Sequence, residues 1–187
     1  TYYLAEILQD ELENEEILPL INESYKMVME DRDIKDWSFF ANRVVTFLGK
    51  IMERKRELRE AIIRFNEARD IIRDNVEKFE DSLYLSAFGH TLYSLGKAYL
   101  KLRDFERAES ELRKAAEYLI SALKIADWRD PYALGVFVLV HTNLARALIR
   151  IGKKNEAKIS IEEAIKQGKN LVSLITTKRS YIYYSRA

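Results

Sequence analysis

The sequence predicts an all-α protein made of antiparallel helical hairpins that stack on one another. The first reason is composition: only six Gly and two Pro occur among 187 residues, which leaves little material for the turns of an all-β protein. The second reason is repetition, since apolar and small residues recur at intervals of 47 to 49 residues along three successive segments. A constant interval of this length indicates one supersecondary unit used repeatedly.

The repeat is clearest in the central segment, where Gly96, Ala108 and Ala115 interrupt an apolar pattern of helical period. Shifts of 47 residues toward the N-terminus and 49 toward the C-terminus bring small residues to the same positions: Gly49, Ala61, Ala68, Ala145, Ala157 and Ala164. Two helices cross closely only where the facing side chains are small. The recurring small residues therefore predict that one helical crossing is used three times.

The central segment also resembles the tetratricopeptide repeat family. The residues that carry the resemblance are Leu92, Leu95, Gly96, Tyr99, Phe105, Ala108, Leu112 and Ala115. The flanking segments are looser, with Leu58 and Lys154 in the position of Phe105, and the resemblance spans residues 35–172. It implies a right-handed superhelical stack of helix pairs, an α-α solenoid. The interval exceeds the family's usual repeat of about 34 residues, which predicts longer helices.

The predicted elements follow in chain order from caps and helical period. An N-terminal hairpin takes residues 1–34, with helices over 2–13 and 15–31, and three repeats follow over 35–80, 81–129 and 130–175. The first helices of the repeats are predicted at 36–55, 82–102 and 131–151, and the second helices at 57–79, 104–127 and 153–175. Residues 176–187 form a basic tail, and the whole chain, 1–187, is predicted to be a single domain.

Individual capping residues set these boundaries. Asp130 followed by Pro131 is the strongest start signal, because an N-cap acid and a proline at the first helical position favour the same boundary. Asp81 and Asp104 are acids in the same role. Gly152 is predicted to end a helix, because glycine accepts the positive φ that follows many helix C-termini.

Composition argues against an enzyme. The absence of Cys excludes disulfides, thiolate catalysis and Cys-ligated metal sites. The two histidines, His90 and His141, lie 51 residues apart, and neither has a second ligand at helical spacing, so no metal site and no cofactor are expected. His141 is predicted to pack between helices. No phosphate-binding glycine loop or nucleophile motif occurs, and the chain is predicted to be non-catalytic.

A ladder of bases is the strongest binding signal. Lys50, Lys97 and Arg146 stand at one repeat position, two residues after equivalent leucines. One helical turn later, a second base recurs in all three repeats: Arg54, Lys101 and Arg150. By the tetratricopeptide resemblance these bases line the concave groove, together with His90, Tyr93 and Asn143. A concave surface with charges of one sign attracts the opposite sign, so the prediction is a protein–protein interaction scaffold that binds an acidic peptide or protein segment.

The competing interpretation is that these bases only keep exposed helix faces in water, although charges of both signs would then be expected to alternate. The charge is also polarised along the chain. Residues 1–36 hold 11 acids and 3 bases, net −8, whereas residues 139–187 hold 3 acids and 10 bases, net +7. Two alternatives therefore stay open: an accessory protein that binds nucleic acid through its basic C-terminal part, and a module that associates with itself, acidic end to basic end.

The sequence also supports an expectation about location. It has no run of 18 apolar residues, which a membrane-spanning helix requires, and acids stand where a signal peptide would carry positive charge. The chain is accordingly expected to be cytoplasmic, with no membrane partner. Abundant Glu, Lys, Arg and Ile, with only two Gln and no Cys, resemble the composition of proteins from hot environments.

Overall fold

The fold described here comes from a computed structural model, which describes residues 14–30 and 36–184 and the side chains of residues 17–30 and 36–176. These ranges contain helices and turns but no strand. The helices are α1 (Asn14–Glu30), α2 (Trp37–Arg54), α3 (Leu58–Lys78), α4 (Ser82–Lys101), α5 (Phe105–Ile125), α6 (Pro131–Arg150) and α7 (Lys154–Tyr184). The predicted all-α class, with consecutive helices paired in hairpins, is confirmed.

The helices form two compact units that divide between Glu80 and Asp81, which is also the predicted boundary between the first two repeats. In the first unit α2 packs against both α1 and α3, and residues of α1 and α2 share a buried apolar cluster: Ile17, Ile21, Val44, Phe47, Leu48 and Ile51. In the second unit each helix from α4 to α7 packs against the next, and α6 also contacts α4. That last contact places two first helices of hairpins side by side.

Small residues allow the close crossings that the repeats predict. A Cβ added to Gly96 would lie 2.6 Å from Cγ of Leu112, and one added to Gly49 would lie 2.5 Å from Cε1 of Phe65. Both distances are shorter than van der Waals contact, so a side chain at either position would require Leu112 or Phe65 to move within a packed crossing. In each pair the glycine and its contact residue are 16 residues apart in sequence. The two hairpins therefore cross at the same repeat position.

The turns inside the hairpins also repeat. Arg56, Arg103 and Gly152 all have a positive φ, of 65°, 63° and 85°, and they are separated by the repeat intervals of 47 and 49 residues. This left-handed conformation suits glycine after a helix C-terminus and costs other residues roughly 1–2 kcal/mol. Only Gly152 meets that backbone requirement without strain.

The predicted caps are present. The Asp81 carboxylate accepts a hydrogen bond from the Leu83 N–H at 2.7 Å, and Asp104 accepts one from the Arg107 N–H at 3.2 Å. Asp130 caps α6 by accepting from two backbone N–H groups. The main difference lies at the C-terminal end, where α7 continues to Tyr184 through residues predicted to be tail. The helix predicted over 2–13 lies outside the described residues.

A charged cluster ties α5 to the α6–α7 turn. Lys153 Nζ donates to both carboxylate oxygens of Glu109 at 2.8 and 2.9 Å, and Arg113 donates to Glu109 at 2.9 Å and also to Glu156. Burial on its own raises the pKa of Glu109, but the hydrogen bonds and charges of Lys153 and Arg113 outweigh burial, and the net pKa is lowered. The cluster thus favours the ionised carboxylate.

One described helix, α6, is long and apolar enough to cross a membrane by length and composition alone. The buried core helix of a globular protein meets the same criterion. In this structure α6 contacts α4, α5 and α7 and buries Leu134, Phe137, Val140 and Leu148. These helix contacts account for the buried part of its apolar sequence.

Candidate peptide-binding groove

A concave groove of about 730 Å³ lies in the second unit, along the C-terminal halves of α4 and α6 and the turn that follows α4. Its lining is Tyr93, Lys97, Leu100, Lys101, Arg103, Phe105, Asn143, Arg146, Ile149 and Arg150. The lining residues of α4 and α6 meet here because both are first helices of hairpins and pack side by side. Repeat equivalence therefore brings bases that are 49 residues apart in sequence into one groove.

Positive charge dominates the groove. Five of the lining residues are bases, and none of the described lining residues is acidic. Lys101 and Arg150 are the last residues of α4 and α6, where the partial negative charge of a helix C-terminus stabilises a cation. The helix ends therefore offset part of the repulsion between the bases, and the groove keeps a positive potential directed at its open side.

The floor of the groove is neutral and polar. Asn143 and Tyr93 are both buried, and the Asn143 Nδ2 group donates to the Leu139 carbonyl at 2.9 Å and to Tyr93 Oη at 3.4 Å. The Asn143 Oδ1 atom accepts a hydrogen bond from the Arg146 guanidinium at 3.2 Å. Asn143 thus orients Arg146, so this cation is held in the groove by a buried partner.

Six of the nine predicted site residues line this groove: Tyr93, Lys97, Lys101, Asn143, Arg146 and Arg150. His90 is not among the lining residues; its ring stacks on Tyr93 at 6.3 Å between centroids, and its Nδ1 lies 3.1 Å from Tyr132 Oη. Lys50 and Arg54 belong to α2 in the other unit, where Lys50 is half-buried and Arg54 is exposed. Their part in a shared groove stays a prediction.

Four lining residues were not predicted as site residues: Leu100, Arg103, Phe105 and Ile149. Arg103 has a positive φ in the turn after α4, so its place in the groove depends on a backbone conformation that a helical period does not describe. One signal was available, since Arg103 lies at the position of the glycine that ends the next first helix, Gly152. The apolar residues add contact area beside the bases, which suits a peptide with both acidic and apolar side chains.

His141 takes no part in the groove. Its ring centroid lies 4.5 Å from that of Phe137, and both ring nitrogens are buried with no hydrogen-bond partner. Burial lowers the pKa of His141, and the charge of Glu163 opposes this shift only in part. The prediction that His141 is a packing residue agrees with these contacts. Within the described residues, no group of three or more acidic or histidine side chains could hold a metal ion.

Comparison with known proteins supports the repeat assignment. The family described as Tetratricopeptide repeat matches residues 89–118 and 139–167, which lie within the α4–α5 and α6–α7 hairpins. Repeats of this family generally serve as non-catalytic scaffolds for protein–protein interaction. No curated protein sequence matches the chain. Among solved structures, the crystal structure of BtubC (BKLC) from P. vanneervenii is similar in fold, with a TM-score of 0.50 and 15% identity over 90% of this chain and 78% of that one.

Proposed function

From the premise that this chain is a tetratricopeptide-like helical repeat protein, we propose that it is a non-catalytic scaffold that binds an acidic peptide or protein segment. The observation that carries the proposal is the groove of the second unit, where five bases and no described acid line one concave surface. Negative charge on a partner lowers the mutual repulsion of these bases, whereas a neutral partner does not. We further propose that the protein acts in the cytoplasm, without a cofactor.

The groove also favours an extended segment over a small anion. Its volume of about 730 Å³ falls within the range of ligand-sized clefts, and its bases come from two helices and the turn that follows α4. Leu100, Phe105 and Ile149 line the same groove as these bases. A segment that alternates carboxylates with apolar side chains would pair with both kinds of lining residue. In the first unit, Lys50 and Arg54 stay predicted binding residues of the same type.

A charge reversal tests the proposal. The double variant Lys97→Glu with Arg146→Glu places two acids in the groove, and we expect it to weaken binding of a fluorescein-labelled decaglutamate peptide at least about tenfold, since two like-charge contacts replace two favourable ones. The matched control, Lys124→Glu with Lys166→Glu, makes the same change in net charge at exposed positions outside the groove lining. Fluorescence anisotropy measures the dissociation constants, and circular dichroism checks helicity.

The control should retain most of the wild-type affinity at moderate ionic strength. Equal loss in both double variants would show that only net charge matters and would overturn the groove proposal, as would an absence of decaglutamate binding by the wild type. A single-stranded oligonucleotide serves as a second probe. Tighter binding of that probe, with a steep fall in affinity as salt is added, would favour nucleic-acid binding instead.

A further inference from the structure

One side of α7 exposes a continuous apolar stripe. It consists of Ile161, Ile165, Gly168, Val172 and Ile175, and we call it the C-terminal seam. The spacings of 4, 3, 4 and 3 residues place all five on the same helix face, which is the pattern that packs against another helix. Ile165 is 55% exposed and Val172 is 65% exposed. Exposed apolar area that is continuous in this way is typical of an interaction surface.

The seam borders a groove shared with α6. This groove has a volume of about 390 Å³ and is lined mainly by apolar side chains, among them Val138, Ala145, Ile149, Ile161 and Ile165. It is separate from the basic groove, although Arg146 and Ile149 line both. The groove between α6 and α7 is therefore a mainly apolar trough, and Arg146 is its one basic lining residue.

Repeat equivalence indicates what the trough accepts. The positions 49 residues earlier in α5 are Leu112, Ala116, Leu119 and Leu123, and all four are buried. The helix α5 packs along both α4 and α6, whereas α7 packs along α6 and meets α5 through the Arg113–Glu156 ion pair near its N-terminal end. The seam thus corresponds to a surface that needs a further helix to bury it.

We propose that the C-terminal seam binds residues 1–13 of a second copy of this chain. The sequence of residues 1–13 has apolar residues at helical spacing, Leu4, Ile7, Leu8 and Leu12, and three of its four acids lie away from that face. Charge complementarity selects this segment, because residues 1–13 contain four acids and no Lys or Arg, whereas residues 139–187, which include the seam, carry a net charge of +7.

The contact is heterologous, since a seam meets an N-terminal segment rather than another seam. Each copy keeps one seam and one segment unused, so association continues beyond a dimer into closed rings or growing chains. The inference does not depend on the proposed peptide-binding function, because the seam residues do not line the basic groove.

Sedimentation velocity of the full chain tests the proposal. Between about 1 and about 100 µM, the range of weak protein contacts, the wild-type sedimentation coefficient should rise with concentration, and added salt should reduce the rise. Ile165→Glu should remain monomeric over that range. The matched control is Ile159→Glu, on the same helix and 65% exposed but off the seam, and it should behave as wild type. Circular dichroism checks that each variant is folded.

A mixture of two variants tests the seam and the N-terminal segment separately. Leu8→Asp should also be monomeric alone, because it places a charge on the apolar face of the segment. A mixture of Leu8→Asp and Ile165→Glu retains one intact seam and one intact segment, so it should form a dimer that grows no further. The proposal would be overturned if the wild type stayed monomeric. It would also be overturned if Ile165→Glu associated as strongly as the wild type, or if Leu8→Asp associated in the absence of Ile165→Glu. Decaglutamate binding by Val172→Glu, a seam variant at a position that lines neither groove, should be unchanged, which keeps this test independent of the basic groove.

Discussion

The two hairpins of the second unit, α4–α5 and α6–α7, share one sequence pattern but differ in burial. Leu112 in α5 is fully buried, whereas its equivalent in α7, Ile161, is 43% exposed. Both residues are large and aliphatic, and both stand 16 residues after a small residue in the preceding helix. The difference arises from the packing of the two helices, because α5 packs along both α4 and α6, whereas extensive packing of α7 within the described residues is against α6. An apolar residue in a repeat is therefore a core residue only where the next helix is present.

The two hairpins also differ in which helix supplies the small residue where their helices cross. Gly96 leaves room for Leu112, and Gly89 leaves room for Leu119. The equivalent positions in the second hairpin hold Ala145 with Ile161 and Val138 with Gly168, so in the second pair the small and the large residue are exchanged. No side-chain atom lies within 4 Å of a Cβ added at Gly168. The second hairpin is thus the looser one, and three predictions test this comparison.

The largest expected effect contrasts the two equivalent aliphatic residues. Leu112→Ala should lower the free energy of unfolding by about 2–5 kcal/mol, because it leaves a cavity in a packed site. Ile161→Ala should cost less than about 1.5 kcal/mol, because a side chain that is still half in water loses little on removal. Urea unfolding followed by circular dichroism measures both values. Similar losses for the two variants would contradict the claim that α7 is less extensively packed than α5.

The next effect compares two helical glycines. Gly96→Ala should destabilise the protein by about 1–3 kcal/mol, because the new methyl group meets the Leu112 side chain in a packed crossing. Gly168→Ala should instead stabilise it by up to about 1 kcal/mol, since alanine favours the helix and has open space there. Thermal unfolding midpoints report the sign of each change. A stabilising Gly96→Ala would show that the first crossing is not tightly packed.

The smallest effect concerns His141, whose equivalent in the first hairpin is the buried Leu92. His141→Leu should stabilise the protein by about 1 kcal/mol at neutral pH, because two buried ring nitrogens without partners are removed. The lowered pKa of His141 means that the unfolded chain binds a proton first as pH falls. The free energy of unfolding therefore does not depend on this residue's protonation well above the ordinary histidine pKa of about 6.5. It decreases progressively as pH falls below that value.

Unfolding free energies measured between pH 7.5 and pH 5, a range set by the histidine pKa, test the pH dependence. His141→Leu should flatten the acid side of the wild-type curve. The control is His90→Gln, because His90 is only half-buried and its ring has a hydrogen-bond partner in Tyr132. An unchanged slope in His141→Leu would contradict the assignment of the slope to this residue.

Much of the fold could be predicted because its determinants are local. The caps Asp81, Asp104 and Asp130 act within three residues, and the positive φ of Gly152 depends on the end of one helix. The candidate groove was partly predictable for the same reason, since bases four residues apart share a helix face. Arg103 was missed because its direction depends on the backbone of a turn.

By itself, the sequence determined the helical hairpins, their crossings at Gly49 and Gly96, and the recurrence of bases at equivalent positions. These properties depend on residues a few positions apart, or on a period that a single chain displays. Only the tertiary structure decided which apolar residues are buried, because burial requires a neighbouring helix and Leu112 and Ile161 occupy the same repeat position. It also decided that Lys97 and Arg146 share one groove, because that depends on α4 and α6 packing side by side.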